Sequence, residues 1–182
     1  LCLAASLGPD LSAAKAHAEH VGLRFDIAES PFRLLAQVAA HDEVVLIADG
    51  ILPDQAVLIE NLSGGSAVLA FPEEPALEQG FERLDATRVW SGALRTRGDT
   101  VARLADLPPD CDIASSLLRL ALQTGARVVE LDPAPLVEGT WQRRVDRQSA
   151  QVKEWRWVMR QVRPASFAAP GRALADRIGL RW

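Results

Sequence analysis

One carboxylate in the sequence lies where α/β proteins often bind a metal ion. Residues 44–48 (VVLIA) form an apolar run rich in β-branched residues, which is typical of a central parallel strand covered on both faces. Asp49 and Gly50 follow directly. Ligands bind at the carboxyl ends of such strands, and Mg²⁺ takes one or two carboxylates together with water and phosphate oxygens. We predict that Asp49 binds Mg²⁺ and that Gly50 leaves room for a cofactor; the alternative is a plain strand-ending turn.

Two further carboxylates are candidates for a second ligand to this metal ion. Asp85 lies in the segment 81–86 (FERLDA), shortly before 90–92 (WSG), and Asp132 follows the strand-like run 127–131 (RVVEL). Spacing in the sequence does not choose between Asp85 and Asp132, so both stay candidates. The segment 81–92 has an equally supported interpretation as a surface hairpin with its tryptophan in the core.

The other polar residues point to no additional chemistry. Two cysteines cannot form a disulfide framework or a four-cysteine zinc site, and the three histidines are scattered. The motifs G-x-S-x-G, G-x-x-x-x-G-K-[ST] and G-x-G-x-x-G do not occur. These absences argue against an α/β-hydrolase, an ordinary P-loop protein and a dinucleotide binder. No stretch approaches the roughly 20 apolar residues of a membrane span.

Strand-like and helix-like segments alternate through the first 140 residues. The predicted strands are 1–6, 23–27, 44–48, 66–71 and 127–131, with helices over 13–21, 31–38, 53–62, 99–104 and 112–123. Such alternation with short connections predicts an α/β fold, a three-layer α/β/α sandwich with a mostly parallel, Rossmann-like sheet. The strand-like segments 81–85 and 89–95 follow one another around a turn, which indicates an antiparallel element in that sheet.

Charge divides the chain into two parts. Residues 141–182 carry ten basic and three acidic residues, a net charge of +7, so the first 140 residues carry −11 of the total of −4. We predict an α/β domain at 1–140 and a basic, Trp-containing amphipathic helical extension at 141–182. The apolar residues at helical spacing are Trp141, Val145, Val152, Trp155, Met159 and Val162. An anionic membrane surface or a membrane enzyme domain fits this extension, whereas nucleic acid would be repelled by the acidic body. The alternative is a solvated helix docked on its own domain.

Four segments together resemble a known family. Residues 45–50 (VLIADG), 81–86 (FERLDA), 90–92 (WSG) and the helix after Asp110 are similar to a GT-A-type nucleotidyltransferase domain. More narrowly, they resemble the cytoplasmic domains fused to, or encoded with, membrane CDP-alcohol phosphotransferases, over roughly residues 1–132. The resemblance implies metal-dependent transfer of a nucleotidyl group from a nucleoside triphosphate to a phosphorylated alcohol or sugar, with Asp49 binding the metal. It also implies a place in phospholipid biosynthesis and a cytoplasmic location, at the inner face of the membrane.

The sequence departs from this family at its phosphate-binding loop. The family has a Gly-rich loop, L-A-A-G-x-G-x-R, where this chain has 3–10 (LAASLGPD). The resemblance implies that Ser6 and Gly8 contact the nucleotide, but Asp10 stands in the arginine position and repels phosphate. Because the chain begins at Leu1 rather than Met, we expect a fragment of a longer product, whose true loop lies upstream. Otherwise the domain is a degenerate relative, a non-catalytic module that binds or positions a membrane-associated partner enzyme.

Overall fold

A computed structural model of the 182-residue chain describes residues 1–4, 9–108 and 111–144, without the side chains of Pro9 and Asp10. The chain divides into two compact units, Leu1–Gln142 and Arg143–Trp182. Of the second unit only residues 143 and 144 are described. Residues 145–182, which are most of the predicted basic extension at 141–182, therefore lie outside the described residues, and the domain boundary at residue 140 stays a prediction.

Strands and helices alternate along the described chain. The strands are β1 (Cys2–Leu3), β2 (Ile27–Ala28), β3 (Glu43–Ile47), β4 (Ile51–Leu52), β5 (Ala67–Pro72), β6 (Glu82–Arg83), β7 (Arg88–Arg97), β8 (Arg127–Glu130) and β9 (Gln142–Arg143). The helices are α1 (Pro9–His20), α2 (Pro31–Leu35), α3 (Gln55–Asn61), α4 (Glu73–Ala76), α5 (Gly98–Ala102), α6 (Ile113–Gln123) and α7 (Ala134–Glu138), with a 3₁₀ helix at Arg103–Asp106.

Acidic and hydroxyl side chains begin several of these helices. The Asp112 carboxylate accepts a 2.7 Å hydrogen bond from the Ser115 amide and so caps α6. Asp54 caps α3 through the amides of Ala56 and Val57 at 3.0 and 3.1 Å. Each cap satisfies amide groups that have no partner within the helix.

The main sheet has five strands in a mixed arrangement. Its order is β3-β7-β5-β8, and β6 also pairs with β7. β7 is antiparallel to β3, β5 and β6, whereas β5 and β8 are parallel. Four of the five strands therefore run in one direction, and the long strand β7 runs against them. The predicted α/β sheet with an antiparallel element is confirmed, but three of the four strand pairings are antiparallel because β7 lies inside the sheet.

The prediction of a central, doubly covered strand at residues 44–48 is wrong. β3 lies at one end of the strand order and pairs only with β7 among the described strands. Its residues alternate between exposed and half-buried, with Val45 and Ile47 exposed at 49% and 44%. One face of β3 packs on the core and the other is exposed to solvent. β7, not β3, occupies the position next to β5 inside the sheet.

Helices cover both faces of the sheet, so the predicted three layers are present. On one face, Leu69 and Phe71 of β5 pack with residues of α3, α4 and α7. On the other face, Val68 of β5 and Leu94 of β7 pack with α2, α5, the 3₁₀ helix and α6. Alternate residues of β5 thus enter different cores, as the pleat of a strand requires.

Trp141 belongs to the first of these cores and does not begin an amphipathic helix. Its side chain is fully buried, and the two residues after it form β9. The ring meets Phe71 edge-on at a centroid distance of 5.5 Å. The helical spacing from Trp141 to Val145 suggested otherwise, but burying a large aromatic ring is worth more than continuing a helical pattern.

Candidate functional site

Asp49 lies in a tight turn at the carboxyl end of β3. The amide of Ala48 donates a 2.8 Å hydrogen bond to the Gly92 carbonyl, and the Ile51 amide closes the turn with a 3.2 Å bond to the Ala48 carbonyl. Gly50 has φ of +74°, a left-handed conformation that a side chain would disfavour. The sequence therefore places both Asp49 and Gly50 correctly at a strand-ending turn.

The Asp49 carboxylate is uncommitted. Its side chain is exposed, and no described residue donates a hydrogen bond to it or forms an ion pair with it. By contrast, the carboxylate of Asp54, five residues later, accepts hydrogen bonds from the backbone amides of Ala56 and Val57 and so caps α3. The backbone amide of Val57 and the side chain of Thr140 are the main causes that lower the pKa of Asp54. The difference leaves Asp49 with its oxygens available to a ligand.

Asp85 is committed to the structure of its own turn. One carboxylate oxygen accepts from the amides of Thr87 and Arg88 at 3.0 and 2.9 Å. The other accepts from the Arg88 guanidinium at 2.9 and 2.6 Å. The Arg88 side chain is the largest cause, ahead of the Thr87 amide, that lowers the pKa of Asp85 to about 2. Asp85 thus closes the turn between β6 and β7, and its oxygens already have donors.

Asp132 also has a structural role. One of its carboxylate oxygens accepts a 2.7 Å hydrogen bond from the Ala134 amide at the start of α7. It follows β8, which is separated from β3 by β5 and β7. Strands lie about 4.8 Å apart, so the ends of β3 and β8 are separated by roughly 14 Å. The geometry does not favour Asp132 as a second ligand to an ion at Asp49.

The predicted site residues are therefore dispersed where they are described. No group of three or more His, Cys, Asp or Glu side chains in the described ranges lies close enough to hold a metal ion. Ser6 and Gly8 lie outside the described residues. The metal-binding role of Asp49 stays a prediction.

Arg95 holds the two ends of the segment that contains Asp49, a role that the sequence pattern did not reveal. Its guanidinium donates a 2.6 Å hydrogen bond to the Leu62 carbonyl, at the end of α3. It also forms an ion pair with Glu43, at the start of β3. Only 17% of the Arg95 side chain is exposed. An arginine in a buried strand is the one signal in the sequence that could have indicated this tie.

A small cavity elsewhere offers no nucleotide site. It is lined by apolar residues of α2 and of the segment 104–113, with a volume of about 20 Å³. That volume holds about one water molecule. Asp49 is not among its lining residues, so the cavity and the candidate site are separate.

Part of the fold is similar to that of a protein of known structure. No protein-family model matches the sequence, and no curated protein matches it. The chain is similar in fold to a Bacillus anthracis chain assigned as a glucose-1-phosphate thymidylyltransferase and solved in complex with sucrose, at a TM-score of 0.47 and 12% identity. The match covers 68% of this chain and 63% of that one, less than two thirds of its length. It is a likeness of part of the fold and says nothing of the activity of this chain.

Among the described residues, none of the helices has the length and apolar character needed to cross a membrane.

Proposed function

We propose that the chain is a nucleotidyltransferase-like domain that transfers a nucleotidyl group from a nucleoside triphosphate to a phosphorylated alcohol or sugar. Asp49 binds the divalent cation in this proposal. The observation that supports it is the exposed Asp49 carboxylate at a strand end, which has no partner among the described residues. By contrast, carboxylate oxygens of Asp54, Asp85 and Asp132 accept hydrogen bonds from backbone amides.

The described carboxylates fit a Mg²⁺ site with one protein ligand but not a site built from protein side chains alone. A cage made of protein side chains does not fit, because the described chain holds no group of three ligating residues. A site with one carboxylate fits, because Mg²⁺ keeps several waters and takes substrate phosphate oxygens. We therefore expect the cation and the nucleotide to bind together, with little binding of the free cation.

The residues around Asp49 have separate tasks in this mechanism. Bound Mg²⁺ supplies charge neutralisation and orientation of the phosphates. Asp49 holds the cation at the sheet edge, and Gly50 leaves the approach free of a side chain. The hydrogen bond from Ala48 to Gly92 fixes the turn before substrate arrives. Such positioning accounts for much of the rate in phosphoryl-group chemistry.

The activity is tested by pyrophosphate release from each nucleoside triphosphate with Mg²⁺ and a panel of phosphorylated alcohols and sugars. The wild type is compared with Asp49→Asn and with Asp132→Asn, a matched change at another exposed strand-end carboxylate. We expect turnover that depends on the acceptor, a loss of about tenfold or more in Asp49→Asn, and little change in Asp132→Asn. No release from any nucleotide, or equal rates in the two variants, contradicts the proposal.

A second candidate function is a non-catalytic module that positions a membrane-associated partner enzyme, such as a CDP-alcohol phosphotransferase. One observation favours it: Asp10 stands where the phosphate loop of the resembling family has an arginine. It predicts no turnover, together with binding of the basic segment 141–182 to anionic vesicles that weakens with salt. In this reading the domain acts at the cytoplasmic face of the membrane. Equal binding to anionic and zwitterionic vesicles contradicts the membrane partner.

A further inference from the structure

We propose that Gly92 is a positioning residue for the Asp49 turn, so that cation binding at Asp49 depends on residue 92 having no side chain. The proposal rests on the metal-binding role proposed above for Asp49. It concerns the segment 91–93, which interrupts the regular pairing of β7. Between the pairs Val68–Leu94 and Ala70–Trp90 the register shifts, so three residues of β7 face Leu69 alone.

Gly92 contacts the Asp49 turn from both sides of Asp49. Its carbonyl accepts the 2.8 Å hydrogen bond from Ala48. Its α-carbon faces the Ile51 side chain: a Cβ at position 92 would lie 2.8 Å from Cδ1 of Ile51 and closer still to Cγ1. Real Cβ atoms essentially never come so close, so a side chain at residue 92 requires either Ile51 or the β7 segment to move.

The β7 segment is more deeply buried than the turn. The Ser91 carbonyl accepts a 3.1 Å hydrogen bond from the indole of Trp141, and the Ala93 carbonyl accepts one of 3.1 Å from the indole of Trp90. Ser91, Ala93 and Trp141 are fully buried. Asp49 is exposed and Ile51 is half-buried, so we expect a clash at residue 92 to displace Ile51 and the turn before it rather than the fully buried β7 segment.

The position of Gly92 in the sheet explains why Asp49 emerges there. β3 pairs with residues 93–97 of β7, and β6 pairs with Trp90 and Val89. Gly92 lies between these two partners, at the point where β3 ends and its chain turns away. β-bulges often redirect a chain beside a functional site. Here the bulge sets the position of the carboxylate in the turn.

Gly125 provides a matched control. Gly92 and Gly125 have φ of +87° and +88°, a left-handed region that disfavours alanine at both positions. A Cβ at Gly125 meets nothing within 4 Å. The difference between Gly92→Ala and Gly125→Ala therefore isolates the contact with Ile51. The double variant Gly92→Ala, Ile51→Ala removes the clashing atoms and should restore the turn.

The experiment has two readouts on the full chain. Hydrogen exchange at the amides of Ala48 and Ile51 reports the turn, and Mn²⁺ binding in the presence of CTP reports the site. We expect Gly92→Ala to speed both amides and to weaken Mn²⁺ binding by about tenfold, Gly125→Ala to match the wild type, and the double variant to recover. If Gly92→Ala does not fold, the double variant decides: wild-type exchange at the two amides and wild-type Mn²⁺ binding in Gly92→Ala, Ile51→Ala support the proposal, and a double variant that also fails to fold contradicts it.

The outcomes separate this proposal from the proposed function. Gly92→Ala that matches Gly125→Ala in both readouts overturns the positioning role. If Asp49→Asn binds Mn²⁺ with CTP as the wild type does, the metal role of Asp49 fails, and amide exchange alone then decides whether Gly92 holds the turn.

Discussion

The indole nitrogen of Trp141 donates a 3.1 Å hydrogen bond to the carbonyl of Ser91, fifty residues earlier in the chain. Ser91 directly precedes Gly92. The Gly92 carbonyl accepts a hydrogen bond from the amide of Ala48, the residue before Asp49. A buried aromatic ring near the end of the described chain thus supports the strand segment on which the candidate site rests. The site depends on core packing as well as on its own turn.

Replacing Trp141 should destabilise the domain strongly. Trp141→Ala removes a fully buried ring and leaves the Ser91 carbonyl without its donor, so we expect a loss of about 3–5 kcal/mol in unfolding free energy. Trp141→Phe keeps part of the ring contact with Phe71 and should lose less. Denaturant unfolding measures both. Phe32→Ala, at a side chain exposed at 69%, is the control and should change stability by about 0.5 kcal/mol or less. Equal effects of Trp141→Ala and Phe32→Ala contradict the burial of Trp141.

Arg95 should contribute more to stability than its neighbour Arg97. Arg95→Ala breaks the bond to the Leu62 carbonyl and the pair with Glu43, and we expect a loss of about 1.5–3 kcal/mol. Arg97 is 61% exposed and its guanidinium contacts Asp99 at 3.3 Å, so Arg97→Ala should cost about 0.5 kcal/mol or less. Urea unfolding of the two variants measures both changes in unfolding free energy. A larger destabilisation in Arg97→Ala than in Arg95→Ala would contradict the structural role of Arg95.

Asp85 should titrate well below an ordinary aspartate. The Arg88 side chain and the Thr87 amide hold its pKa at about 2, against 3.8 without them. Because the folded-state pKa is lowered, the stabilisation is present above pH 3.8 and is lost as the pH falls towards 2. Carboxyl NMR titration should show this pKa, and Arg88→Ala should raise it. An Asp85 pKa near 3.8 in the wild type contradicts the hydrogen bonds described.

Local patterns predicted much of the fold. The apolar run before Asp49 and the turn residues Asp49 and Gly50 are adjacent in sequence, and the structure has the expected strand and turn. Helix caps such as Asp112 are also local, since the capping side chain and its amide lie three residues apart. These features depend on contacts within a few residues, which the sequence displays directly.

Strand order and the support of the site depend on contacts between distant residues. The run 44–48 looks buried on both faces, yet its exposure alternates because β7 separates β3 from β5. Charge in 141–182 suggested a tail from Trp141 onwards, whereas the ring of Trp141 packs on Phe71. The register shift around Gly92 is likewise set by pairing with β5, so the sequence marks the glycine but not what it contacts.

The most direct test of the central claim is Mn²⁺ binding to the full chain, followed by electron paramagnetic resonance with and without CTP or UTP. We expect nucleotide-dependent binding that weakens by about tenfold or more in Asp49→Asn and stays at the wild-type level in Asp132→Asn. Equal affinity in the wild type and in Asp49→Asn would show that the exposed carboxylate at the end of β3 does not hold the cation.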